Sequence, residues 1–319
     1  HYTVPGAWQD KGSATDFGAD LYAETMRKAA YMDDLIRGHL AIMDRYDPEH
    51  RVGLIVDEWG CWHNVEPGTN PGFLYQQNTM RDAMVAALTL DIFNSHCDRV
   101  VMANIAQMVN VLQAVILTDG AKMICTPTYH VFDLYKAHHD ANYLPSAITC
   151  GECGGVKQLT ATASEKDGVI TLTATNTSCT DALDVVVHLS GASAKNVTAR
   201  ILTGDMRDKN TFEDAEKGLR AVLLYTLFAD TAALTRSVRL ENIGGHTLTL
   251  ERAFSFAFDL PAGDYEALTL AGSWAAECAP ERTPLRHGIF TVNSKRVTSS
   301  ATQNPFLAVM TADADEAHG

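Results

Sequence analysis

VGLIVDEWGCWHN, residues Val52–Asn64, drives an apolar run into two adjacent acids, then sets two tryptophans around a glycine and a cysteine. The run Val52–Val56 is short and rich in β-branched side chains, which predicts a strand buried on both faces. Asp57 and Glu58 stand where that strand leaves the core. In a parallel α/β sheet, function gathers at the carboxyl ends of the strands. Two readings stay open on spacing alone. The acids face a substrate, with Trp59 and Trp62 as flat platforms for a sugar, or they cap the next helix and pair with Arg51.

The flanks support the parallel reading. Residues 15–46 place Leu21, Met32, Leu35, Ile36, Leu40 and Met43 at helical spacing until Pro48 stops the pattern, predicting one or two helices. Residues 76–96 predict a helix with an Ala-rich face. Residues 99–105, RVVMANI, predict a second buried strand whose end carries Asn104 and then Gln107. Residues 127–139 predict a helix with Pro127 at its start. Helix, strand, helix, strand, helix is the rhythm of a parallel α/β structure.

After about residue 142 the style changes. VKQLTATASEKDGVITLTATNTSCTDALDVVVHLS alternates apolar and polar residues, with KDG as a turn, and predicts antiparallel strands of a sandwich. A second β-rich block starts near residue 217. Between them, GDMRDKNTFEDAEKG is charged and reads as an exposed loop.

Composition narrows the partners. The net charge of −14, from 25 basic and 39 acidic side chains, argues against a nucleic-acid or anionic-membrane surface. No run of about 18 apolar residues predicts a membrane span. The start, HYTVPGAW, does not read as a signal peptide and lacks an initiator Met, so the chain is expected to begin inside a larger reading frame. The seven scattered cysteines do not form a disulfide framework, and reduced cysteines suit a cytoplasmic setting. Cys150 and Cys153 form a C-x-x-C without a second pair, so no metal or cofactor is expected.

Residues 1–216 resemble the α-L-arabinofuranosidases of glycoside hydrolase family 51. The likeness rests on HYTVPG, GLIVDEWGCWHNVEPGTNPGFLYQQN, VVMANIAQ, TPTYHVFDLYKAH and ILTGDMRDKNTFEDAE. The resemblance implies a (β/α)8 barrel followed by a β-sandwich, and cleavage of terminal arabinofuranosyl groups with retention of configuration. It implies Glu58 as catalytic nucleophile, Tyr2 beside the nucleophile and sugar, Trp62 as an aromatic wall, and Gln107 as a hydrogen-bonding partner of the sugar. His1 matches a family histidine more loosely. Asp57 is expected to orient the strand end, and Asn104 and Asn110 to support the loop. The family's acid/base glutamate lies in an Asn-Glu motif on an earlier strand, upstream of this chain. The resemblance thus supplies a nucleophile without its partner.

Residues 217–319 resemble instead the N-terminal β-sandwich of family 36 α-galactosidases, on TRSVRLEN, LAGSWAAE, PLRHGIF and SSATQNPF. That family's catalytic aspartates lie downstream, so no role is carried onto these residues. Trp274, Arg236 and Arg282 read as packing and surface pairing.

The expected organisation is therefore a partial barrel over 1–142, from the end of strand six, an arabinofuranosidase-type sandwich over 143–216, and a truncated galactosidase-type sandwich over 217–319. Three functions remain in view. One is a hydrolase fragment acting on arabinofuranosyl-containing oligosaccharides or other glycosides and inactive alone. The others are an α-galactosidase-type accessory domain and a non-catalytic carbohydrate-binding or interaction protein. Open strands predict a homo-oligomer.

Overall fold

Each segment predicted helical combines an apolar stripe with a stop signal, and each forms a helix. The computed structural model describes residues 2–4, 9–192, 196–213, 219–228, 233–242, 263–273, 276–286, 290–292 and 303–314. His1, Trp274, the Arg236 side chain and the expected boundary at Glu216–Lys217 lie outside the described residues. In chain order, β1 (Tyr2–Val4), α1 (Ala19–Ala30), α2 (Met32–Tyr46), β2 (Leu54–Cys61), α3 (Met80–Ser95) and β3 (Val100–Ile105) come first. A hairpin, β4 (Ile116–Asp119) and β5 (Lys122–Cys125), leads to α4 (Pro127–Tyr135). None of the described helices is long and apolar enough to cross a membrane.

β1, β2 and β3 form one parallel sheet in that order. Helices cover one of its faces. Val56, Trp59 and Val100 bury against Met32 and Ile36 of α2, Ala83, Ala86, Ala87 and Phe93 of α3, and Val131 and Tyr135 of α4. Val4 and Cys61 pack on Tyr22, Met26 and Ala29 of α1. α3 is enclosed by α1, α4, β2 and later strands, and its small alanines let those neighbours approach closely. The amino ends of β2 and β3 are stitched by Arg99, whose Nη1 donates to Asp47 Oδ2 at 3.0 Å. The Val52 amide, together with Arg99, holds the Asp47 carboxyl at about 2.

The β-rich part begins with β6 (Asn142–Leu144), a small hairpin of β7 (Glu152–Cys153) and β8 (Val156–Lys157), then β9 (Leu159–Lys166) and β10 (Val169–Asn176). β6, β9 and β10 share an antiparallel sheet. Lys166 pairs with Val169, and Asp167 and Gly168 both take positive φ, 53° and 79°. That two-residue geometry matches strand twist, which is why Asp-Gly serves there. β11 (Asn196–Arg200), β12 (Leu219–Phe228) and β13 (Ala233–Asn242) form a further sheet. β14 (Tyr265–Ser273), β15 (Ala276–Pro284) and β16 (Gln303–Thr311) form another, in the order β15-β14-β16. The chain divides into two compact units, His1–Ser255 and Phe256–Gly319.

The expected burial of β2 and β3 on both faces is not met, with Ile55, Val101 and Met102 exposed on the face the helices leave uncovered, and another expectation changes too. Residues 182–189 form no strand, and Val185, Val186, Val187 and Leu189 are exposed. The stretch expected as an exposed loop is a largely exposed loop over its described residues, and it is also tied down over residues 206–210. Met80 N donates to Asp208 O at 2.9 Å and Arg81 N to Met206 O at 3.1 Å, so this stretch caps the start of α3. Arg207 Nε donates to Phe17 O at 2.7 Å.

Where α3 meets the sandwich, Asp91 is buried among hydroxyls. Its carboxylate accepts from Tyr135 at 2.8 Å, Thr160 at 2.6 Å and Thr162 at 2.7 Å. Burial still outweighs these donors and pushes its pKa up to about 6. A raised carboxyl stabilises the fold most below its unfolded value, and that contribution is lost as pH rises through about 6. The thermal midpoint of Asp91→Asn, relative to wild type, is therefore expected to improve steadily as pH rises from about 4 to about 7. A pH-independent difference in midpoint would refute it.

Candidate functional site

The ladder between β2 and β3 is irregular where the acids lie. Val56 pairs with Ala103 and Trp59 with Ile105, so three steps on β2 match two on β3. The extra residue falls at Asp57–Glu58, a β-bulge of the kind that re-aims side chains beside functional sites. The bulge lets Val56 and Trp59 share the core face although their spacing is odd. Ala106 N then donates to Trp59 O at 2.8 Å and resumes the pairing. Asp57 is exposed and Glu58 half-buried; they lie within β2, which runs on to Cys61, and not at its end as expected, because the bulge interrupts the ladder without ending the strand.

Beyond Trp59 the chain is held by buried amides. Gly60 takes φ of 130°, and a Cβ there would sit 2.8 Å from Gln113 Cγ. Cys61 N donates to Gln113 Oε1 at 2.7 Å. Gln113 Nε2 reaches Thr128 Oγ1 at 2.9 Å. Gln76 brackets Trp62: its Oε1 accepts from His63 N at 2.8 Å and its Nε2 donates to Cys61 O at 3.3 Å. Trp62 N donates to Val4 O at 3.2 Å, tying it to β1. Asn64 clasps Asp10 and the Lys11 amide, and Lys11 Nζ stands 5.1 Å from the centre of the Trp62 ring.

The expected site residues divide. Glu58 lies inside β2 at the bulge, while Trp62 follows the carboxyl end of β2 and Gln107 comes soon after β3; Gln107 is exposed, with its backbone N–H donating to Leu112 O. Tyr2 is on the other side. It pairs with Trp59 in register, packs with the helix-side core and donates its hydroxyl to Lys28 O at 2.7 Å. The structure therefore does not bring the Tyr2 hydroxyl to the Glu58 carboxyl, because parallel register puts Tyr2 on the Trp59 face. Trp59 is likewise no platform. It is 1% exposed and packs edge-on to Phe93 at 5.3 Å. Asn110 supports its loop, donating to Thr118 Oγ1 at 2.8 Å. Gln76 and Gln113 had escaped the sequence reading. Single amides in loops carry no periodic signal.

Cys61, His63 and Asp82 bring possible ligand atoms within 4.8 Å of one another. The donor set does not suit a cation. The Arg81 guanidinium already stands 2.9 Å from His63 Nε2, and Thr79 N and Oγ1 both donate to Asp82 Oδ2. Burial and Asp82 push the Cys61 thiol up, so it stays protonated.

Residues 57–219, half of the chain, match the alpha-L-arabinofuranosidase C-terminal domain, and the chain belongs to that family. An intracellular exo-alpha-L-arabinofuranosidase of Bacteroides ovatus is 47% identical over 220 residues, 67% of this chain and 43% of that protein. The crystal structure of the GH51 arabinofuranosidase from Xanthomonas axonopodis pv. citri is 45% identical. It aligns with a TM-score of 0.64 over 69% of this chain and 48% of its own. The chain thus spans less than half of either relative. Residues 207–319 match the glycosyl hydrolase family 36 N-terminal domain. An alpha-galactosidase of Geobacillus stearothermophilus is 43% identical over 106 residues, 33% of this chain and 14% of that protein. Both resemblances read from the sequence are therefore borne out.

Gly60→Ala tests the local frame. The added methyl meets Gln113 at a backbone angle that side chains avoid, and the expected loss is about 1–3 kcal/mol. Urea unfolding should show it. An unchanged midpoint would mean that the bulge and its amide frame are not tightly built.

Proposed function

We propose that the chain carries the nucleophile-bearing part of a retaining α-L-arabinofuranosidase, with Glu58 as nucleophile. The bulge at Asp57–Glu58, inside the family match, is the observation that carries this reading. Trp62 forms one wall of the sugar pocket and Gln107 hydrogen-bonds the sugar. Tyr2 acts from behind, bracing β2 through the core. β1, β2 and β3 serve as strands six to eight of a (β/α)8 barrel over residues 1–142, followed by a sandwich over 143–216. Residues 217–319 make an α-galactosidase-type accessory unit, a reading the family 36 match supports. Arabinofuranosyl-containing oligosaccharides are the substrates. A cytoplasmic setting is in keeping with the Bacteroides relative, which is described as intracellular.

A retaining glycosidase needs a second carboxyl about 5–5.5 Å from the nucleophile as acid/base. The sequence contains no Asn-Glu pair, so the family's acid/base motif is absent from these residues. Proton transfer of that kind is worth about 10²–10⁴-fold. The 319-residue chain alone is therefore expected to show no useful turnover of 4-nitrophenyl arabinofuranoside. Turnover matching an intact relative and lost in Glu58→Gln would show another carboxyl in the acid/base role.

A leaving group that needs no protonation separates the two roles. With 2,4-dinitrophenyl α-L-arabinofuranoside, one pentosyl group should accumulate on Glu58, since no base activates water to release it. Peptide mass spectrometry locates it. An adduct elsewhere, or none, removes Glu58 as nucleophile.

A further inference from the structure

The C-x-x-C motif takes no part in the chemistry of β2, and its two cysteines have different surroundings. Cys150 precedes β7, and its thiol reaches toward Leu159 O at 3.8 Å. Cys153 ends β7 directly opposite Val156 on β8. Residues directly opposite in an antiparallel pair present their side chains to one face. Val156 is buried in the cluster that holds Tyr22, Met26 and Ala29 of α1, so Cys153 is turned toward that cluster. Gly154 and Gly155 make the turn, with φ of 61° and 82°. A Cβ on Gly154 would stand 2.9 Å from Ala23 Cβ, so the turn lies directly on α1. Cys179 reaches the same cluster from a distant part of the chain and is half-buried against it. Two residues earlier, Thr177 N donates to Gln158 O and Thr177 Oγ1 to Lys157 O, both at 2.9 Å. Those bonds lay the end of β10 beside β8. Tyr22 is the neighbour the two thiols share: after burial, Cys179 and Cys153 are what raise its phenol. Cys153 also bears on Cys179 itself. Both thiols are free. A disulfide needs Cα atoms within about 7 Å, and Cys179 lies past the ladder of β10, where no strand pairing fixes it.

We propose that Cys153 and Cys179 are a redox-reversible disulfide site, closed by a low-molecular-weight disulfide such as oxidised glutathione and reopened by the corresponding thiol. One protein thiolate attacks a sulfur of the small disulfide, breaks its S–S bond and releases one small thiolate, leaving a mixed disulfide. The second protein thiolate attacks the protein sulfur of that mixed disulfide, forms the Cys153–Cys179 bond and releases the second small thiolate. The protein pair loses two electrons, the small disulfide gains them, and the two protons from Cys153 and Cys179 end on the two small thiols. Burial, then Cys153, Asp205 and Asp181, raise the Cys179 thiol, so the exchange quickens as pH rises. Closure joins the end of β10 to a hairpin already seated on α1, and so braces the sandwich against the helical layer. The inference rests on these two cysteines and not on the role of Glu58.

The test incubates the folded 319-residue chain with oxidised glutathione, without denaturant. The remaining thiols are then alkylated and the peptides mapped by mass spectrometry. The expected product is one internal Cys153–Cys179 disulfide, reopened by excess reduced glutathione. Cys97 is exposed, and its uptake of glutathione reports that the oxidant is active. Cys153→Ser and Cys179→Ser should each prevent closure and leave glutathione on the remaining thiol of the pair. Cys150→Ser should close as the wild type does. Hydrogen exchange at residues 150–157 and 177–181 should slow at least about threefold on closure, while α3, already enclosed, stays unchanged. A Cys150–Cys153 bond, a bond to Cys97 or Cys278, a bond between chains, or no bond while Cys97 carries glutathione would overturn the proposal. Closure without slower exchange in those segments would overturn the bracing. The mapping is made on the wild-type chain, so a serine variant that fails to fold does not decide the outcome.

Discussion

The start of α3 is the constraint on which the rest of the site depends. Arg81 is fully buried, its guanidinium 3.6 Å from the centre of the Phe17 ring. A buried cation is costly unless its protons find acceptors. Arg81 uses Nη2 alone, which donates to Ser13 O and Ala14 O, each at 3.1 Å, and stands 2.9 Å from His63 Nε2, while its Nε and Nη1 are buried with no partner among the described residues. Beside it, burial alone would raise Asp82, but His63, Arg81 and the Thr79 amide draw its carboxyl below the usual range. One network therefore fixes the loop after β1, the loop after β2 and the first turn of α3. The 206–210 segment closes the same turn through the Met80 and Arg81 amides. With three segments held at one point, the strand end carrying Glu58 has little freedom to move.

β2 has two jobs that conflict in a regular strand. Alternation would put Val56 and Trp59 on opposite faces, since they are three residues apart. The core needs both, because Val56 and Trp59 belong to one cluster with Phe93. The bulge resolves the conflict by adding a residue at the acids. It also explains the opening stretch: adjacent acids are tolerated within the strand because they fall where the ladder is already interrupted, with Asp57 exposed and Glu58 half-buried. Trp59 anchors the strand from the core side, and Trp62, past the strand, stays half-buried beside Lys11.

This division marks how much of the molecule the sequence reveals. Helix positions follow from spacing and stop signals, so α1 to α4 fall inside the segments predicted for them. Both parallel strands are legible from their β-branched runs. A bulge leaves no trace in periodicity, so Trp59 reads as a platform when it is a core anchor, and the face of Tyr2 stays open until register is known. The Gln76 and Gln113 amides are invisible for another reason: their partners are mostly backbone groups, with the Thr128 hydroxyl besides, and no periodic side-chain pattern encodes them. The run around Val186 shows the converse failure. Its pattern is that of a strand, yet residues 182–189 form none. The apparent loop at 206–210 is charged in sequence yet bound through its backbone carbonyls, which composition does not report.

The junction of the two resemblances follows the same logic. β11 lies in the arabinofuranosidase-like part and β12 in the galactosidase-like part, yet they pair as neighbours, from Asn196 opposite Thr226 to Arg200 opposite Val222. Ladder hydrogen bonds join N–H to C=O and take no account of which family supplied the strand. A free edge at β11 therefore accepts the next strand available, and β12 brings β13 with it. This explains why the compact units divide at Ser255–Phe256 while the family matches overlap at 207–219. A boundary in ancestry is set by sequence, whereas a boundary in structure is set by where backbone pairing stops.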